Sequence, residues 1–286
     1  MPTVGCIVLT QGRRPDDLRR ATESLLRQRG VEVDVVVVGN AWRPEGLPAG
    51  ARGVALAQNA GIPGGRNAGV PHARGDLLFF LDDDASLADD DALERVARKF
   101  ADDPQLGLLQ LRVAALSGGP PLRNWVPRLR VGDRARSSDV TAVWEGAVAI
   151  RRRVFEQVGG WPAEFRFVHE GVDLAWRVMD AGLRVRYAGD VVALHPSHAP
   201  GRHSYSPYFS MRNRVWLARR HLPLPLAALY VLTFAVRSLP ALRSARAGRE
   251  LLRGLRDGAR EPCGERRTLR PRTLWRMTRA GRPPVL

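Results

Sequence analysis

Residues 73–84, which read ARGDLLFFLDDD, decide the fold class of this chain. The apolar run LLFFL is continuous rather than alternating, which is typical of a strand buried on both faces of a parallel sheet. Three carboxylates, Asp82, Asp83 and Asp84, follow the run directly. Because open α/β sheets bind ligands beyond the carboxyl ends of their strands, this stretch predicts a central strand with an acidic binding site at its end.

Similar apolar runs alternate with helix-like segments along most of the chain. Pro15 followed by Asp16 and Asp17 is a helix start signal, because proline fits the first helical position and acids complement the helix dipole. The order predicts an α/β fold, with a Rossmann-like, mostly parallel sheet flanked by helices. The predicted strands are residues 4–9, 33–38, 54–57, 76–81, 106–113, 142–150, 183–187 and 191–194, and the predicted helices are 15–29, 64–74, 89–100, 153–158 and 170–181.

The composition excludes several classes of protein. The 286 residues include 45 Lys plus Arg, 29 Asp plus Glu, 21 Pro and 28 Gly, which rules out collagen, a coiled coil and wholesale disorder. Two cysteines, Cys6 and Cys263, cannot form a disulfide framework or a four-cysteine metal site. The first apolar run is too short for a secretory signal and no basic segment precedes it, so we expect a cytoplasmic protein.

The acidic cluster at residues 82–84 predicts a metal site. Like charges this close resist joint ionisation unless a cation neutralises them. Asp82 and Asp84 are two residues apart, so both carboxylates can face one divalent ion, and oxygen ligands suit Mg²⁺ or Mn²⁺. His195, after a strand-like segment, is a candidate third ligand. The alternative interpretation is an acidic turn that caps the next helix.

A glycine-rich segment at residues 59–69, NAGIPGGRNAG, is a second candidate site. It matches neither the P-loop nor the dinucleotide-binding fingerprint. Gly64 and Gly65 before a predicted helix leave backbone amides open to an anion, with Arg66 beside them. The alternative interpretation is a tight turn into a helix.

A third candidate site lies at residues 167–177, FVHEGVDLAWR. Glu170 and Asp173 are three residues apart and share one face of a helix start. Either carboxylate, held near a sugar or alcohol hydroxyl, is a candidate general base. The alternative is the ordinary enrichment of acids in a first helical turn.

The order of these motifs resembles that of the family-2 glycosyltransferases, which have the GT-A fold and invert the anomeric centre. The resemblance covers roughly residues 3–220. Each motif is ordinary alone, but their order is specific, and the segment at residues 59–69 is most similar to rhamnosyl- and galactofuranosyl-transferring members of actinobacterial type. The matching motifs are Thr10 with Arg13, NAGIPGGRNAG, ARGDLLFFLDDD, RRRVFEQVGGW at residues 151–161, EGVDLAWR with the later His195, and Arg212-Asn213-Arg214.

The resemblance implies transfer of a sugar from a nucleoside-diphosphate sugar donor to a hydroxyl of a glycan, lipid-linked or secondary-metabolite acceptor. Asp82, Asp84 and His195 would hold Mg²⁺ or Mn²⁺ at the donor diphosphate, and Glu170 or Asp173 would take the acceptor proton. The implied donor nucleotide residues are Thr10, Arg13, Asn40, Arg66, Asn67, Asp82 and Asp83. The implied acceptor or diphosphate contacts are Trp144, Glu145, Arg212 and Asn213.

The chain departs from the family pattern at two places. Gly171 stands where many relatives carry the second acid of a Glu-Asp pair, and a glycine cannot take a proton. The base must therefore be Glu170 or Asp173, with Glu170 favoured. Gly39 and Asn40 replace the aspartate that often ends the second strand, so the nucleobase contacts there stay open.

A basic, partly apolar helical tail at residues 221–286 is predicted to follow a catalytic domain at residues 1–220. The apolar run at residues 222–236 is shorter than the about 20 residues that span a bilayer. One arginine stripe follows it, formed by Arg246, Arg249, Arg253, Arg256 and Arg260, with Leu242, Leu252 and Leu255 near the opposite side. This pattern predicts peripheral attachment to an anionic membrane, on the inner face of the cell membrane. The alternative is a solvated helix packed on the catalytic domain.

Two other functions fit parts of the sequence. The net charge of +16 is compatible with a nucleic-acid-binding protein, but the basic stripe lacks the interleaved aromatics that stack on bases, and we expect no nucleic acid partner. A sugar-phosphate nucleotidyltransferase would also use an acidic metal site. Such enzymes usually carry a Gly-rich, Lys/Arg-bearing signature near the N-terminus, where this chain has only Gly12-Arg13-Arg14.

Overall fold

A mixed nine-stranded sheet forms the centre of the protein. The computed structural model describes residues 1–119, 122–197 and 206–285, and the side chains of all of these except residues 206, 241 and 242. The strand order is β3-β2-β1-β4-β8-β6-β9-β5, with β7 beside β9. The strands are β1 (Thr3–Thr10), β2 (Glu32–Asn40), β3 (Ala51–Leu56), β4 (Leu77–Asp82), β5 (Ser86–Leu87), β6 (Leu106–Ala115), β7 (Ser138–Asp139), β8 (Ala147–Arg151) and β9 (Arg184–His195).

The long strands of the sheet run parallel on both sides of the reversed strand β8, and the two-residue strands β5 and β7 pair antiparallel with β9. Strands β3, β2, β1 and β4 run parallel to one another, and so do β6 and β9. Strand β8 lies between β4 and β6 and is antiparallel to both. The carboxyl ends of β1, β4, β6 and β9 therefore meet at one edge, which becomes the functional edge of the sheet.

Helices cover both faces of the sheet. Phe79 and Phe80 are adjacent on β4 and fully buried, but they belong to two different core clusters, because successive strand residues point to opposite faces. This arrangement explains why β4 is apolar throughout. The helices are α1 (Pro15–Leu26), α2 (Gly61–Gly69), α3 (Ala92–Asp102), α4 (Arg152–Gln157), α5 (Glu170–Asp180), α6 (Ser206–His221), α7 (Leu224–Arg237), α8 (Ala245–Arg260) and α9 (Pro271–Arg279).

The prediction of a mostly parallel α/β sheet with a helical C-terminal extension is confirmed. Three local predictions were wrong. Residues 183–187 and 191–194 belong to one long strand, β9, whose register with β6 shifts at a bulge. The strand predicted at residues 142–150 begins only at Ala147. The helix predicted at residues 64–74 spans Gly61–Gly69 instead, and a short 3₁₀ turn follows it.

The C-terminal helices pack on the sheet domain. Leu269 and Met277 are buried in the same core cluster as Phe80 of β4. Helix α8 packs on α6 through small residues: a Cβ at Gly258 would lie 2.8 Å from the Cβ of Val215, and Gly248 and Gly254 are also buried. Of the leucines predicted near the apolar side of α8, Leu255 packs against the cluster formed by Met211, Val215 and Leu251, whereas Leu252 is 65% exposed. The side chain of Leu242 lies outside the described residues.

The outer surface of this extension combines charged and apolar groups. All five arginines of the predicted stripe on α8 are exposed. Helix α7 exposes an apolar face, with Leu224 74%, Leu232 59% and Val236 55% exposed. Within the described part of the chain, no helix is long and apolar enough to cross a membrane.

Candidate active site

Strand ends bring three predicted metal ligands together at the functional edge. Asp82 is the last residue of β4, Asp84 follows in the next turn, and His195 is the last residue of β9. One ligand atom from each of them lies within 4.8 Å of the others. The sequence separates Asp84 from His195 by more than a hundred positions, and the sheet topology brings them into contact.

His195 is oriented to offer one nitrogen to the acidic cluster. Its Nδ1 lies 2.8 Å from the carbonyl oxygen of Pro196, and a carbonyl only accepts, so Nδ1 carries the proton. Nε2 then faces Asp84 Oδ1 at 3.0 Å and Asp82 Oδ2 at 3.8 Å. Trp125 and Trp144 pack edge-on against the ring. This tautomer and packing suit a histidine that ligates through Nε2.

The charges of the cluster fit a divalent cation. The carboxylates of Asp82, Asp83 and Asp84 lie at this edge; Arg14 pairs with Asp83 and Asp84, and Arg66 pairs with Asp82. Burial raises the pKa of Asp83 to about 6, although a hydrogen bond from Thr10 and the charge of Arg14 oppose the increase. A set of carboxylate oxygens with one imidazole nitrogen, as Asp82, Asp84 and His195 offer, can hold Mg²⁺ or Mn²⁺.

Arg14 is a residue that the sequence did not single out. Its guanidinium pairs with Asp83 at 2.5 Å and also with Asp84. The predicted residue, Arg13, is exposed beside it. The other residue predicted in this turn, Thr10, does lie at the acidic cluster, because its Oγ1 donates to Asp83 Oδ2 at 2.7 Å. Gly12, with a positive φ of 71°, turns the chain between Thr10 and the two arginines. In the sequence, this glycine is the residue that indicates a turn here.

Arg66 links the acidic cluster to a buried glutamate. Its Nη2 lies 2.6 Å from Asp82 Oδ1, and its Nη1 lies 3.9 Å from Glu170 Oε1. The guanidinium is buried over the ring of Trp161, 5.3 Å from the centroid. Arg66 Nη1 and Glu170 Oε2 are buried without hydrogen-bond partners among the described residues. Such orphaned polar atoms indicate a place for a polar ligand.

The two candidate bases have opposite surroundings. Burial, followed by the charge of Glu145, raises the pKa of Glu170 to about 8. Asp173 is buried as well, but Arg177 at 2.5 Å and His221 at 2.7 Å pair with it. These partners outweigh burial and hold the pKa of Asp173 well below its usual range. Of the two, Glu170 has the electrostatics of a proton acceptor, and Asp173 those of a structural ion pair.

Two asparagines predicted to contact the donor nucleotide hold backbone segments. Asn40 donates to Asn59 Oδ1 and to the carbonyl of Gly61, and it accepts from the amide of Ala60. Asn67 exchanges two hydrogen bonds with the backbone of Trp161, at 2.8 and 2.9 Å. Both side chains therefore fix the glycine-rich segment around Arg66.

Arg212 and Asn213 hold the strained loop that leads to Glu170. Val168 and His169 have φ of 55° and 68°, a conformation that is costly for a β-branched residue. The Asn213 amide donates to the carbonyls of Phe165, Phe167 and Val168. Arg212 donates to the carbonyls of Glu164 and Phe165. Both predicted contact residues thus act on the segment 164–168.

Trp144 and Glu145 border the cluster from the turn before β8. A Cβ at Gly146 would lie 2.6 Å from Asp82 Oδ2 and against the Trp144 ring, so the ring folds over this glycine beside the acidic edge. Glu145 Oε1 accepts a hydrogen bond of 2.7 Å from the amide of Gly171. The structure therefore brings Trp144, Glu145, Glu170, Arg66 and Asp82 into one neighbourhood.

Solved structures share this architecture. The mannosyltransferase PcManGT from Pyrobaculum calidifontis, in complex with GDP-Man and Mn²⁺, superimposes with a TM-score of 0.59 at 19% identity, over 98% of this chain and 84% of that one. GalNAc-T7 with UDP, GalNAc and Mn²⁺ gives a TM-score of 0.57 at 14% identity, over 75% of this chain and 51% of that one. At these identities the likeness shows the fold alone, which is the GT-A fold.

Curated relatives are similar over parts of their length. The O-antigen chain rhamnosyltransferase RfbN of Salmonella typhimurium is 28% identical over 144 residues, covering 47% of this chain and 45% of the relative. The pre-mycofactocin glycosyltransferase of Mycobacterium tuberculosis is 29% identical over 202 residues, covering 66% of this chain and 42% of the relative. The chain thus spans less than half the length of both relatives.

The family is shown by a match to the sheet domain. The family model described as glycosyl transferase family 2 matches residues 6–159, which is more than half of the chain. The match contains the glycine-rich segment, the three aspartates and Glu145, and it ends before Glu170 and His195. The chain belongs to glycosyl transferase family 2.

Proposed function

We propose that this chain is a metal-dependent, inverting glycosyltransferase that uses a nucleoside-diphosphate sugar. The observation that carries the proposal is the link from the Asp82–Asp84–His195 cluster through Arg66 to Glu170. It sets a cation site and a buried carboxyl group, one oxygen of which has no hydrogen-bond partner among the described residues, on either side of one guanidinium. Two solved structures of the same fold, one in complex with GDP-Man and Mn²⁺ and the other with UDP, GalNAc and Mn²⁺, support the same donor class.

Asp82, Asp84 and His195 would hold Mg²⁺ or Mn²⁺ in this proposal. When bound, the cation supplies positive charge that stabilises a departing diphosphate. Arg66, with one unpartnered buried nitrogen, donates to the same anion. Thr10 and Arg14 fix Asp83 beside it, and Asn40 and Asn67 support the donor site by holding the backbone on both sides of Arg66.

Glu170 is the proposed base. It accepts the proton of the acceptor hydroxyl while that oxygen bonds to the anomeric carbon from the face opposite the diphosphate. The bond from the anomeric carbon to the diphosphate oxygen breaks in the same step, and the nucleoside diphosphate leaves with both electrons. One displacement inverts the anomeric centre. Asp173 does not suit this role, because its ion pairs hold its pKa well below the usual range.

The proposed acceptor is a glycan, a lipid-linked sugar or a secondary metabolite with a free hydroxyl. Trp144 offers an aromatic ring beside the acidic edge, on which the apolar face of a sugar can stack. Arg212 and Asn213 contribute through the loop that leads to Glu170 and not by touching the acceptor.

We also propose that the C-terminal extension attaches the enzyme to an anionic membrane. The five exposed arginines of α8 attract anionic headgroups, each by about 1 kcal/mol near such a surface. Helix α7 supplies the apolar part, since Leu224, Leu232 and Val236 are more than half exposed. The sequence predicts the apolar part of the membrane contact beside the arginine stripe of α8. In this proposal it lies on α7 instead.

Membrane attachment is tested by co-sedimentation with phosphatidylglycerol vesicles. Replacing Arg249, Arg253 and Arg256 by Gln, or Leu229 and Leu232 by Glu, should reduce binding at least tenfold at low salt. A matched control replaces three exposed arginines elsewhere, Arg29, Arg43 and Arg98, by Gln and should bind normally. If the control loses as much binding as the α8 variant, net charge alone is responsible and the proposed surface is wrong.

Product analysis tests the catalytic proposal. The protein is incubated with UDP-, GDP- and dTDP-sugars and Mn²⁺, with water or a glycan as acceptor, and the released phosphates are separated. Release of a nucleoside diphosphate supports glycosyl transfer. Release of pyrophosphate from a nucleoside triphosphate and a sugar phosphate would instead identify a nucleotidyltransferase.

A further inference from the structure

We infer that Glu145 is a positioning residue that caps α5 from the turn before β8, through the amide of Gly171, and so fixes the start of the helix that carries Glu170. The inference rests on the proposed role of Glu170 as the base. It concerns a contact between two segments, not a contact with the sugar or the diphosphate.

The first observation is a hydrogen bond at the beginning of α5. The first amides of a helix have no partner within the helix, and no side-chain cap comes from His169, the residue before Glu170. Glu145 Oε1 accepts from the amide of Gly171 at 2.7 Å. A carboxylate at this end of a helix also complements the helix dipole. Glu145 therefore caps α5 from a distant part of the chain.

The second observation is that Gly171 and Glu145 occupy one space. A Cβ at residue 171 would lie 2.7 Å from Glu145 Oε1 and 2.8 Å from its Cγ, and it would contact the carbonyl oxygen of Val143 even more closely. A side chain at residue 171 would have to displace the Glu145 carboxylate. The Glu145 carboxylate can therefore reach the amide of residue 171 only because that residue is a glycine.

The third observation is that the side chain of Glu170 has little to fix it directly. Glu170 Oε2 has no hydrogen-bond partner among the described residues, and Glu170 Oε1 lies 3.9 Å from Arg66, beyond hydrogen-bond distance. Its direction therefore depends on the backbone from which it projects. That backbone is held on one side by the loop that Asn213 binds and on the other side by Glu145. Removing the Glu145 contact should loosen the base without altering the donor site.

The test distinguishes the hydrogen bond that Glu145 accepts, which depends on the length of its side chain, from the effect of its negative charge. Glu145→Gln keeps an oxygen that can accept from the Gly171 amide, whereas Glu145→Asp keeps the charge but withdraws the oxygen by one methylene. At pH 9, where Glu170 is ionised, we expect Glu145→Gln to keep kcat within about threefold of the parent. Glu145→Asp should lower kcat at least tenfold, with donor KM and diphosphate affinity unchanged within twofold. Glu156→Ala, on the exposed side of α4, is the control and should match the parent.

Hydrogen exchange of the Gly171 amide gives a readout that does not need activity. Exchange should be slow in the parent and in Glu145→Gln, and at least tenfold faster in Glu145→Asp. Equal exchange in all three proteins, or a larger loss of kcat in Glu145→Gln than in Glu145→Asp, overturns the inference. If the parent transfers no sugar, the proposed function fails while the exchange experiment still decides whether Glu145 fixes α5.

Discussion

The first turn of α5 places two buried acidic side chains in opposite surroundings. Glu170 faces Arg66 and the acidic edge and keeps one oxygen without a hydrogen-bond partner among the described residues. Asp173, three residues later, faces the end of α6 and pairs with Arg177 and His221 at 2.5 and 2.7 Å. Burial is common to both, so burial alone does not mark a functional acid. The distance to the charged partner separates the two roles: Asp173 is in hydrogen-bond contact with Arg177 and His221, whereas the guanidinium of Arg66 lies 3.9 Å from Glu170.

Substitution of Glu170 should give the largest effect on activity. Glu170→Gln removes the proton acceptor and should lower kcat by about 10²–10⁴-fold. The melting temperature should stay the same or rise, because a buried ionisable group with one oxygen lacking a hydrogen-bond partner among the described residues is replaced by a neutral amide. Steady-state kinetics and a thermal melt of the same preparation measure both quantities. Near-parental kcat in Glu170→Gln would remove Glu170 from the base role.

Substitution of Asp173 should show the reverse pattern. Asp173→Asn leaves Arg177 and His221 without their charged partner, which should lower the free energy of unfolding by about 3–5 kcal/mol. Activity per folded molecule should fall less than tenfold. Because the pKa of Asp173 is lowered on folding, the stability it contributes is present above the unfolded pKa of about 4 and is lost as the pH falls below it. Urea unfolding of the parent and variant at pH 7 and pH 3 measures this difference.

The pH dependence of the rate sharpens the comparison. Burial and Glu145 raise the pKa of Glu170 to about 8, so below that pH the base is protonated and kcat/KM should fall about tenfold per pH unit. Glu145→Gln removes the negative charge beside Glu170, so the fall in kcat/KM should occur at lower pH. Asp173→Asn should leave the pH of this fall unchanged. If kcat/KM of the parent fell only below about pH 4, the raised pKa of Glu170 would not be the one that controls catalysis.

Much of the sheet could be predicted from sequence because its strands are continuous apolar runs. Residues 77–81 are buried on both faces, and that pattern is visible without a structure. The reversal of β8 and the joining of two predicted strands into β9 could not be predicted, because both depend on pairing between distant segments. The glycine face of α8 was missed for the same reason, since its partner lies on α6.

The candidate site divides in a similar way. Asp82, Asp84 and His195 were predicted from their places after strands, and the structure brings them together. The choice between Arg13 and Arg14 depends on the turn at Gly12 and could not be made from residue types. The difference between Glu170 and Asp173 was also hidden, because the partners of Asp173 include His221 of α6, 48 residues away.

The most direct test of the central claim is calorimetric titration of UDP, GDP and dTDP into the parent protein and Asp84→Ala, with and without Mn²⁺. Asp76→Ala, at the exposed residue just before the start of β4, is the matched control. The account predicts that one diphosphate binds the parent and the control only when Mn²⁺ is present, and that Asp84→Ala loses this binding. Binding that is equally tight without the metal, or that survives in Asp84→Ala, would contradict the metal-dependent donor site.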